Sequence, residues 1–248
     1  MNNRLWIILA ALVAATVGGL VWWRAVAPDN MAYVGNLNRG VLITKQDVVD
    51  ARNRAANGGK LADNFKTDES TIIPDHFFGN KNSKVVVVQY EDFACSACNA
   101  FAKTAAQIQE DYKDKVLFIY RNFNLGQNTS TLSESAAEAA YLLGGEDKFW
   151  QMHDLIFSDS TCVEGSDKTA CQNRLYVYAN QLGLDEGKFK AALNDYQNNG
   201  INDKLKRDKA LGLKAGISAT PTWLINGKEI RGATDSGVRA ALDEALKN

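Results

Sequence analysis

The chain has 248 residues and a mass of 27.2 kDa, enough for one sizeable hydrophobic core and somewhat more than a minimal domain requires. Its 28 basic and 29 acidic residues leave a formal net charge of -1, so no long-range field attracts a polyanion. The composition therefore favours a single elaborated domain and excludes nucleic acid as an expected partner.

An uncharged segment at the N-terminus, residues 5–23 (LWIILAALVAATVGGLVWW), is long enough to cross a bilayer as a helix. Tryptophans lie near both of its ends, where aromatic side chains favour the membrane interface. A cleaved signal segment is the alternative, because the small residues 25–27 (AVA) resemble a cleavage site, although Pro28 follows directly. We predict a transmembrane anchor over residues 1–24, with the cleaved signal as the alternative.

Residues 25–71 are polar and rich in Asn, Gly and Asp. Thr44 and Asp47 form a capping pair that predicts one short helix within this segment. We interpret residues 25–71 as a spacer that holds a folded domain away from the membrane.

A strand–helix–strand unit follows the spacer. Residues 84–90 (KVVVVQY) form a β-branched run typical of a strand buried on both faces, and residues 115–123 (KVLFIYRNF) form a second buried strand. Between them, apolar residues recur at helical spacing from Cys95 to about Lys113. Such a crossover makes the two strands parallel, and sites in these sheets form beyond the carboxyl ends of the strands.

The middle of the chain, residues 131–216, shows helical patterns throughout. Thr131 and Glu134 predict a capping box at its start. We interpret His153 as a packing residue and residues 204–214 as a solvated helix face. Strand patterns resume after this region, so we interpret it as a helical insertion and not as a separate domain.

The last part of the chain predicts a hairpin and a helix. Residues 220–230 (TPTWLINGKEI) place two β-prone runs around Asn226-Gly227, the dipeptide that a tight type I′ turn prefers. Asp235 is expected to cap a final helix that runs to Leu246. The predicted order is strand, helix, strand, helical insertion, hairpin and helix.

Cys95 and Cys98 form a CxxC pair at the predicted start of the first helix. Four residues span just over one helical turn, so the two sulfurs come close enough to bond. Cys95 is nearer to the helix terminus, where unpaired N–H groups and the helix dipole favour a thiolate. We predict Cys95 as the nucleophile and Cys98 as the buried resolving thiol. The alternatives are a structural disulfide and part of a zinc site, which so short a loop and the spacing of the other cysteines disfavour.

The order of the elements, the CSAC motif at the first helix and the downstream ATPTWLINGKEI segment together resemble the DsbA-like family of thiol-disulfide oxidoreductases, a branch of the thioredoxin superfamily. The resemblance covers about Ile72 to Leu246. It implies an α/β, thioredoxin-like fold with an inserted helical subdomain, occupying residues 72–248 with the insertion at about 131–216. We expect neither a metal nor another cofactor.

The resemblance also implies that Pro221 follows a cis peptide bond and stands beside the cysteine pair. Thr220 then presents its backbone to an extended substrate, and its hydroxyl tunes the thiol. From the residues alone, an ordinary trans proline at the entry of a strand is the alternative.

Five residues are candidates for tuning the pair. Ser96 and Ala97 lie between the cysteines, and Ser-Ala lacks the histidine that strongly oxidising relatives carry there. Many relatives have a buried acid six positions before the nucleophile, which moves protons to and from the resolving cysteine, and Gln89 occupies that place. Glu91 or Asp92 is a candidate substitute, although the favoured interpretation makes both of them solvated charges at the edge of a loop.

Cys162 and Cys171 flank a polar loop inside the insertion. We predict a structural disulfide between them, with a second electron-shuttling pair as the alternative. Two close cysteine pairs behind an export-type segment indicate an oxidising compartment, so the bulk of the protein is expected outside the cytoplasm.

These features predict a membrane-anchored, extracytoplasmic oxidoreductase that introduces disulfides into exported, reduced proteins through Cys95 and Cys98. The resemblance implies a membrane partner for re-oxidation, a quinone-linked protein of the DsbB or vitamin K epoxide reductase type. The alternatives are the reverse reaction, as a reductase or isomerase, and a non-catalytic module that binds extended peptides beside Pro221. Metal delivery through the thiol pair is disfavoured, because no Met-rich or His-rich stretch lies nearby.

Overall fold

The structure is a computed structural model that describes residues 31–32, 43–44 and 73–247. Strands β1 (Met31–Ala32) and β2 (Ile43–Thr44) pair antiparallel. The predicted anchor and most of the predicted spacer lie outside the described residues, as does the helix predicted to follow Thr44, which itself ends β2. In the part of the chain that the structure describes, no helix is both long and apolar enough to span a membrane.

Residues 73–247 build a five-stranded sheet with helices around it. The strands of this sheet are β3 (His76–Gly79), β4 (Val85–Glu91), β5 (Val116–Asn122), β6 (Thr222–Ile225) and β7 (Lys228–Arg231). The helices are α1 (Ser96–Tyr112), α2 (Ser130–Gly144), α3 (Glu146–Phe157), α4 (Lys168–Gln181), α5 (Glu186–Asn194), α6 (Ile201–Lys214) and α7 (Asp235–Ala245).

The strand order in the sheet is β3-β5-β4-β6-β7. β4 and β5 are parallel, and the other neighbouring strands are antiparallel. Every residue of β4 and β5 is buried, as their apolar runs predict for central strands covered on both faces. The parallel register pairs Glu91 with Asn122, so the carboxyl ends of both strands meet at the edge of the sheet where α1 begins.

Strand β3 is not among the elements that the sequence predicts. Its four residues (HFFG) pair antiparallel with β5 at the edge of the sheet. A run this short carries neither an alternating pattern nor a hairpin signal. Only its pairing with a strand far along the chain defines it.

One face of the sheet is covered by α1 and α7. Ala105 and Ile108 of α1, and Val238 and Leu242 of α7, belong to one buried cluster with Trp223 of β6. Burying a large apolar side chain of this kind stabilises the fold by roughly 1.5 to 3 kcal/mol. This layer fixes α1, and with it the cysteine pair, at the end of β4.

Helices α2 to α6 lie between β5 and β6 in the chain, where the insertion is predicted. Their apolar core includes Phe149, Leu175 and Phe189, and Cys98 of α1 belongs to the same buried cluster. The insertion therefore packs directly against the first turn of α1.

The predicted capping box at the start of the insertion is wrong. Helix α2 begins at Ser130, and its N-cap Thr129 makes no side-chain cap hydrogen bond. Thr131 and Glu134 instead accept hydrogen bonds from the side-chain amide of Asn124, at 3.0 and 2.8 Å. Their oxygens are therefore engaged with the loop after β5 and not with the helix terminus.

The predicted hairpin is confirmed, and the cap of the last helix lies one residue earlier than predicted. Asn226 (φ 45°) and Gly227 (φ 85°) both have positive φ, as a type I′ turn between β6 and β7 requires. Thr234, and not Asp235, is the N-cap of α7, and its hydroxyl accepts a hydrogen bond from a backbone N–H of the first turn at 3.3 Å. Asp235 instead pairs with Arg239 at 2.7 Å.

The prediction of a solvated face for residues 204–214 is wrong for part of α6. Lys204, Arg207 and Asp208 are buried, because α6 packs between β5 and α2. Lys204 forms an ion pair with Asp208 and lies 3.7 Å from Glu138, and Arg207 pairs with Asp208 at 3.0 Å. Buried charges persist where each meets an opposite charge.

These residues are part of a buried charge cluster at the seam between the sheet and the insertion. Its cations are His76, Arg121, Lys204 and Arg207, and its anions are Asp75, Glu138, Glu146 and Asp208. The cluster connects the chain around β3 and β5 to α2, α3 and α6 of the insertion.

Candidate active site

Cys95 and Cys98 lie at the start of α1, beyond the carboxyl end of β4. Cys95 is the N-cap of the helix with an extended backbone (φ -74°, ψ 120°), and its N–H donates to the carbonyl of Asp92 at 3.0 Å. Cys95 is 8% exposed and Cys98 is 1% exposed, and both are free thiols. The more accessible sulfur is therefore the one at the helix terminus.

The two thiols differ in acidity. A hydrogen bond with the Cys98 side chain lowers the pKa of Cys95 to about 6, against the opposing effect of burial. Thr220 and the backbone N–H groups of the first turn lower it further. Burial raises the pKa of Cys98 well above its ordinary value, and the side chain of Cys95 and the charge of Glu91 raise it further. Near neutral pH the pair holds a thiolate at Cys95 and a thiol at Cys98.

The peptide bond between Thr220 and Pro221 is cis, as the family resemblance implies. The Cys95 sulfur lies 3.5 Å from the backbone carbonyl oxygen of Thr220. The Thr220 hydroxyl is buried and has no hydrogen-bond partner among the described residues. The Thr220 side chain lowers the pKa of Cys95 and that of Cys98. The fold therefore brings together the cysteine pair and the Thr220-Pro221 turn, which are far apart in the sequence.

Ser96 and Ala97, the residues between the cysteines, are exposed. The backbone N–H of Ala97 contributes to the lowered pKa of Cys95. Neither side chain carries a charge, so the acidity of Cys95 comes from the backbone and from its neighbours and not from these side chains.

Gln89 is buried, and its side-chain oxygen accepts a hydrogen bond from the Gln109 amide at 2.9 Å. An amide does not titrate, and this one is engaged with α1 away from the helix terminus. Gln89 therefore supports the packing of β4 on α1 and does not exchange protons with Cys98.

Glu91 is only 3% exposed, so its interpretation as a solvated charge is wrong. Glu91 is the last residue of the central strand β4. Its carboxyl accepts a hydrogen bond from the indole N–H of Trp223 at 3.1 Å. Burial raises the pKa of Glu91, while His153 and Trp223 oppose that shift. The charge of Glu91 raises the pKa of Cys98, so this carboxyl is a candidate for proton exchange with the resolving thiol.

Asp92 is also buried, which again contradicts the solvated interpretation. One carboxylate oxygen accepts from the backbone N–H of Ala94 at 2.9 Å. The other accepts from the N–H of Leu125 at 2.6 Å and from the Ser130 hydroxyl at 2.8 Å. These bonds fix the turn between β4 and α1, so Asp92 positions the cysteine pair.

Cys162 and Cys171 are joined in the predicted disulfide, with an S–S distance of 2.07 Å. The loop that they close reaches the active site, because the N–H of Glu164 donates to the carbonyl of Ala94 at 2.7 Å. No pattern in the sequence indicates this contact, because it depends on how the insertion folds back onto α1.

His153 packs as predicted. It is 9% exposed, and its ring centroid lies 5.5 Å from that of Phe93 and 5.0 Å from that of Tyr120.

Within residues 73–247 and the short strands before them, no group of three or more His, Cys, Asp or Glu side chains is arranged to hold a metal ion.

A thioredoxin-like sheet, a CxxC pair at the mouth of α1 and a cis-proline against the accessible sulfur define a DsbA-like thiol-disulfide oxidoreductase fold. The thioredoxin family model matches residues 71–244, and the chain belongs to this family.

The solved structures that share the fold include proteins from Wolbachia pipientis and Bacillus subtilis. The thiol-disulfide exchange protein alpha-DsbA2 from Wolbachia pipientis aligns with a TM-score of 0.61 and 21% identity, over 82% of this chain and 98% of that one. BdbD from Bacillus subtilis aligns with a TM-score of 0.62 and 24% identity, over 70% of this chain and 94% of that one.

One curated relative is much longer than this chain. The Na(+)/H(+) antiporter NhaA of Herminiimonas arsenicoxydans is 27% identical over 192 residues, which are 77% of this chain and 29% of the antiporter. The chain therefore spans less than a third of that relative, and the likeness assigns no ion transport to it.

Proposed function

We propose that the chain is a membrane-anchored oxidoreductase that introduces disulfides into exported proteins outside the cytoplasm. The observation that carries the proposal is the asymmetry of the pair: the pKa of Cys95 is lowered to about 6 while that of Cys98 is raised. A stabilised thiolate favours the reduced enzyme, and a disulfide whose reduced form is stabilised is a strong oxidant.

In the proposed reaction, a client thiolate attacks the Cys95 sulfur of the Cys95–Cys98 disulfide. The bond between the two enzyme sulfurs breaks, and Cys98 leaves as a thiolate that takes up a proton. A second client thiolate then attacks the client sulfur of the mixed disulfide and releases Cys95 as a thiolate. The client loses two electrons and gains a disulfide, and the enzyme is left reduced.

The thiolate of Cys98 is formed in a buried site and requires a proton donor. Glu91 fits this role, because its carboxyl is buried, its pKa is raised by burial, and its charge acts on Cys98. A protonated Glu91 donates to the Cys98 thiolate when the enzyme is reduced, and the carboxylate accepts that proton when the enzyme is re-oxidised. Gln89 cannot do this, which moves proton exchange two residues along β4 relative to the pattern of the family.

The client is an extended, reduced polypeptide. The Thr220 carbonyl lies 3.5 Å from the Cys95 sulfur, so a chain that pairs with this backbone brings its own cysteine to the reacting atom. Binding through the backbone accepts many sequences, as an enzyme that oxidises diverse exported proteins requires.

Turnover requires an acceptor for the two electrons. We infer a membrane partner of the quinone-linked DsbB or vitamin K epoxide reductase type, because an anchor over residues 1–24 confines both proteins to one surface. The Cys162–Cys171 disulfide supports an oxidising compartment.

The direction of the reaction is tested by equilibrating the Cys95–Cys98 pair with glutathione buffers. We expect a reduction potential well above the value of about -270 mV that is typical of thioredoxin. A potential near that value excludes the oxidase and leaves the reductase as the activity of this site.

Trapping separates an enzyme from a peptide-binding module. Cys98→Ser is expected to accumulate mixed disulfides with clients through Cys95, whereas the matched Cys95→Ser variant, with its nucleophile removed, is expected to accumulate few. If neither variant traps a client while the wild type still binds peptides, the module is the correct function.

A further inference from the structure

A segment of the insertion borders Cys95 and is defined here as the lip segment, residues 157–167. It is bonded to the chain on both sides of that cysteine. The N–H of Glu164 donates to the carbonyl of Ala94 at 2.7 Å, and the side-chain amide of Asn99 donates to two carbonyls of the lip segment at 3.2 and 2.9 Å. A client that approaches Cys95 therefore meets this segment.

The lip segment is held in place by bonds at its far side. The Cys162–Cys171 disulfide closes it, and the Thr129 hydroxyl donates to the carbonyl of Cys162 at 2.7 Å. The Asn128 amide donates to the carbonyl of Ser166 at 3.0 Å. The backbone of this segment consequently has a fixed position relative to the reacting sulfur.

The lip segment contains three carboxylates, and two of them have partners. Asp159 accepts a hydrogen bond from the Tyr178 hydroxyl and lies 3.3 Å from Arg174, and Asp167 caps α4. Glu164 is exposed, and among the described residues its carboxylate has neither a hydrogen-bond nor an ion-pair partner. Its carboxylate is therefore presented to solvent from a residue whose backbone is bonded to Ala94, the residue before Cys95.

Three other exposed residues near Cys95 and the Thr220-Pro221 turn carry no charge. Ser96 and Ala97 are exposed and uncharged, and so is Ser218, just before the Thr220-Pro221 turn. We propose that Glu164 is a specificity-determining residue, which favours clients that carry a Lys or Arg next to the reacting cysteine. The proposal rests on the proposed function, because it takes Cys95 as the sulfur that the client attacks.

The expected effect is modest and depends on salt. One exposed charge close to a reaction site changes the rate for an oppositely charged substrate by roughly two- to five-fold at low ionic strength. The Debye length falls from about 10 Å at 0.1 M salt to about 3 Å at 1 M, so the preference is expected to disappear in concentrated salt.

The test uses two model peptides that differ only beside their cysteines, one with flanking Lys and one with flanking Glu. Each rate of oxidation by the protein is divided by the rate of the same peptide with hydroxyethyl disulfide, which removes differences in intrinsic thiol reactivity. We expect the wild type to favour the basic peptide by about three-fold, Glu164→Gln to remove the preference and Glu164→Lys to invert it.

Glu164→Gln keeps the backbone N–H that bonds to Ala94, so the lip segment stays in place. The matched control is Glu110→Gln, an exposed glutamate on the same helix as the cysteines and roughly 20 Å from Cys95 by helical rise. This control is expected to keep the wild-type preference.

If Glu164→Gln keeps the preference of the wild type, or if the wild type has none, the inference is overturned while the oxidase function stands. If the wild type oxidises neither peptide, the proposed function itself fails, and the inference fails with it. The two failures are distinguished by the absolute rates.

Discussion

The Thr220 hydroxyl lowers the stability of the fold and also lowers the pKa of Cys95. Its hydroxyl is buried without a hydrogen-bond partner among the described residues, and such a group destabilises a fold by roughly 1 to 3 kcal/mol. The same hydroxyl lowers the pKa of Cys95. A polar atom in an unfavourable position beside a reactive sulfur is typical of a functional site, where chemistry and stability make opposing demands.

Thr220→Val tests this trade-off with an isosteric side chain. We expect the free energy of unfolding of the variant to be about 1 kcal/mol higher than that of the wild type, because no buried hydroxyl is left unpaired. We also expect the pKa of Cys95 to be higher in the variant. Chemical denaturation gives the first quantity, and thiolate absorbance as a function of pH gives the second. A variant that loses stability, or whose thiol titrates as in the wild type, contradicts this account.

Glu91 is the second residue whose role is testable in isolation. Glu91→Gln keeps an oxygen for the Trp223 indole and removes only the titrating group. We expect Cys98 to resolve mixed disulfides on the order of 100-fold more slowly near neutral pH, the low end for general acid–base catalysis. The defect should shrink at high pH, where hydroxide deprotonates Cys98 directly.

Single-turnover oxidation of the reduced protein by a small disulfide measures that rate. Gln89→Leu serves as the control, because Gln89 bonds to Gln109 and not to the sulfurs. Equal rates for wild type and Glu91→Gln across the pH range show that protons reach Cys98 without Glu91.

At the scale of elements, the sequence predicts those strands, helices and turns whose formation depends on neighbouring residues. The β-branched runs of β4 and β5, the apolar spacing of α1 and the Asn226-Gly227 turn each contain their own signal, and the structure has all of them. The pattern does not predict the burial of Lys204 and Asp208, because charges at helical spacing look the same on a solvated face and in a buried network. Their burial depends on Glu138, which lies on another helix.

The active site likewise has features that the sequence predicts locally and features that depend on contacts between distant segments. The spacing of Cys95 and Cys98 and the helix terminus indicate which sulfur is acidic, since both signals are local. Glu91 is buried and bonded to Trp223 because β6 packs beside β4. Glu164 bonds to Ala94 because the insertion folds back onto the start of α1. Sequence patterns contain no record of such contacts between distant segments.

His76 shows how the insertion is joined to the sheet. Its ring lies between Glu138 of α2 and Glu146 of α3, with nitrogen–oxygen distances of 2.9 and 3.0 Å. Burial lowers the pKa of His76, but the two carboxylates outweigh burial and raise it above 6.5. The charged ring therefore holds β3, α2 and α3 together.

This arrangement has a definite dependence on pH. A group whose pKa is raised by folding adds stability that is fully present below its unfolded pKa, here about 6.5, and that is lost as pH rises through its folded value. We expect the free energy of unfolding of the oxidised protein to fall as pH rises above neutrality. Denaturant titrations between pH 5 and 9 measure the loss.

His76→Gln isolates the contribution of this ring. It removes the cation between the buried carboxylates of Glu138 and Glu146, of which, among the described residues, only Glu138 keeps a second cation, Lys204 at 3.7 Å. We therefore expect the free energy of unfolding to fall by roughly 3 kcal/mol at pH 6. The difference in the free energy of unfolding between the wild type and the variant should become smaller as pH increases. A difference that stays constant shows that His76 is neutral in the folded protein and that its contribution is packing alone.

At the scale of the whole molecule, the chain combines a catalytic domain with an N-terminal segment of different physical character. Uncharged residues 5–23 are followed by a polar stretch and then by the folded domain. An oxidase whose electrons leave through a membrane partner gains from an anchor, because both proteins then share one surface and meet at a high effective concentration. Anchoring should therefore affect turnover and not the chemistry of the pair.

Replacing residues 1–24 with a cleavable signal segment separates the two effects. We expect the full chain to remain with membranes after alkaline extraction and the exchanged protein to be released, with the Cys95–Cys98 potential unchanged in both. In the exchanged protein the fraction found reduced in cells should increase several-fold, because re-oxidation becomes a bimolecular encounter in solution. If the native chain is itself released and its mature N-terminus is Pro28, the segment is a cleaved signal, and re-oxidation must proceed without an anchor.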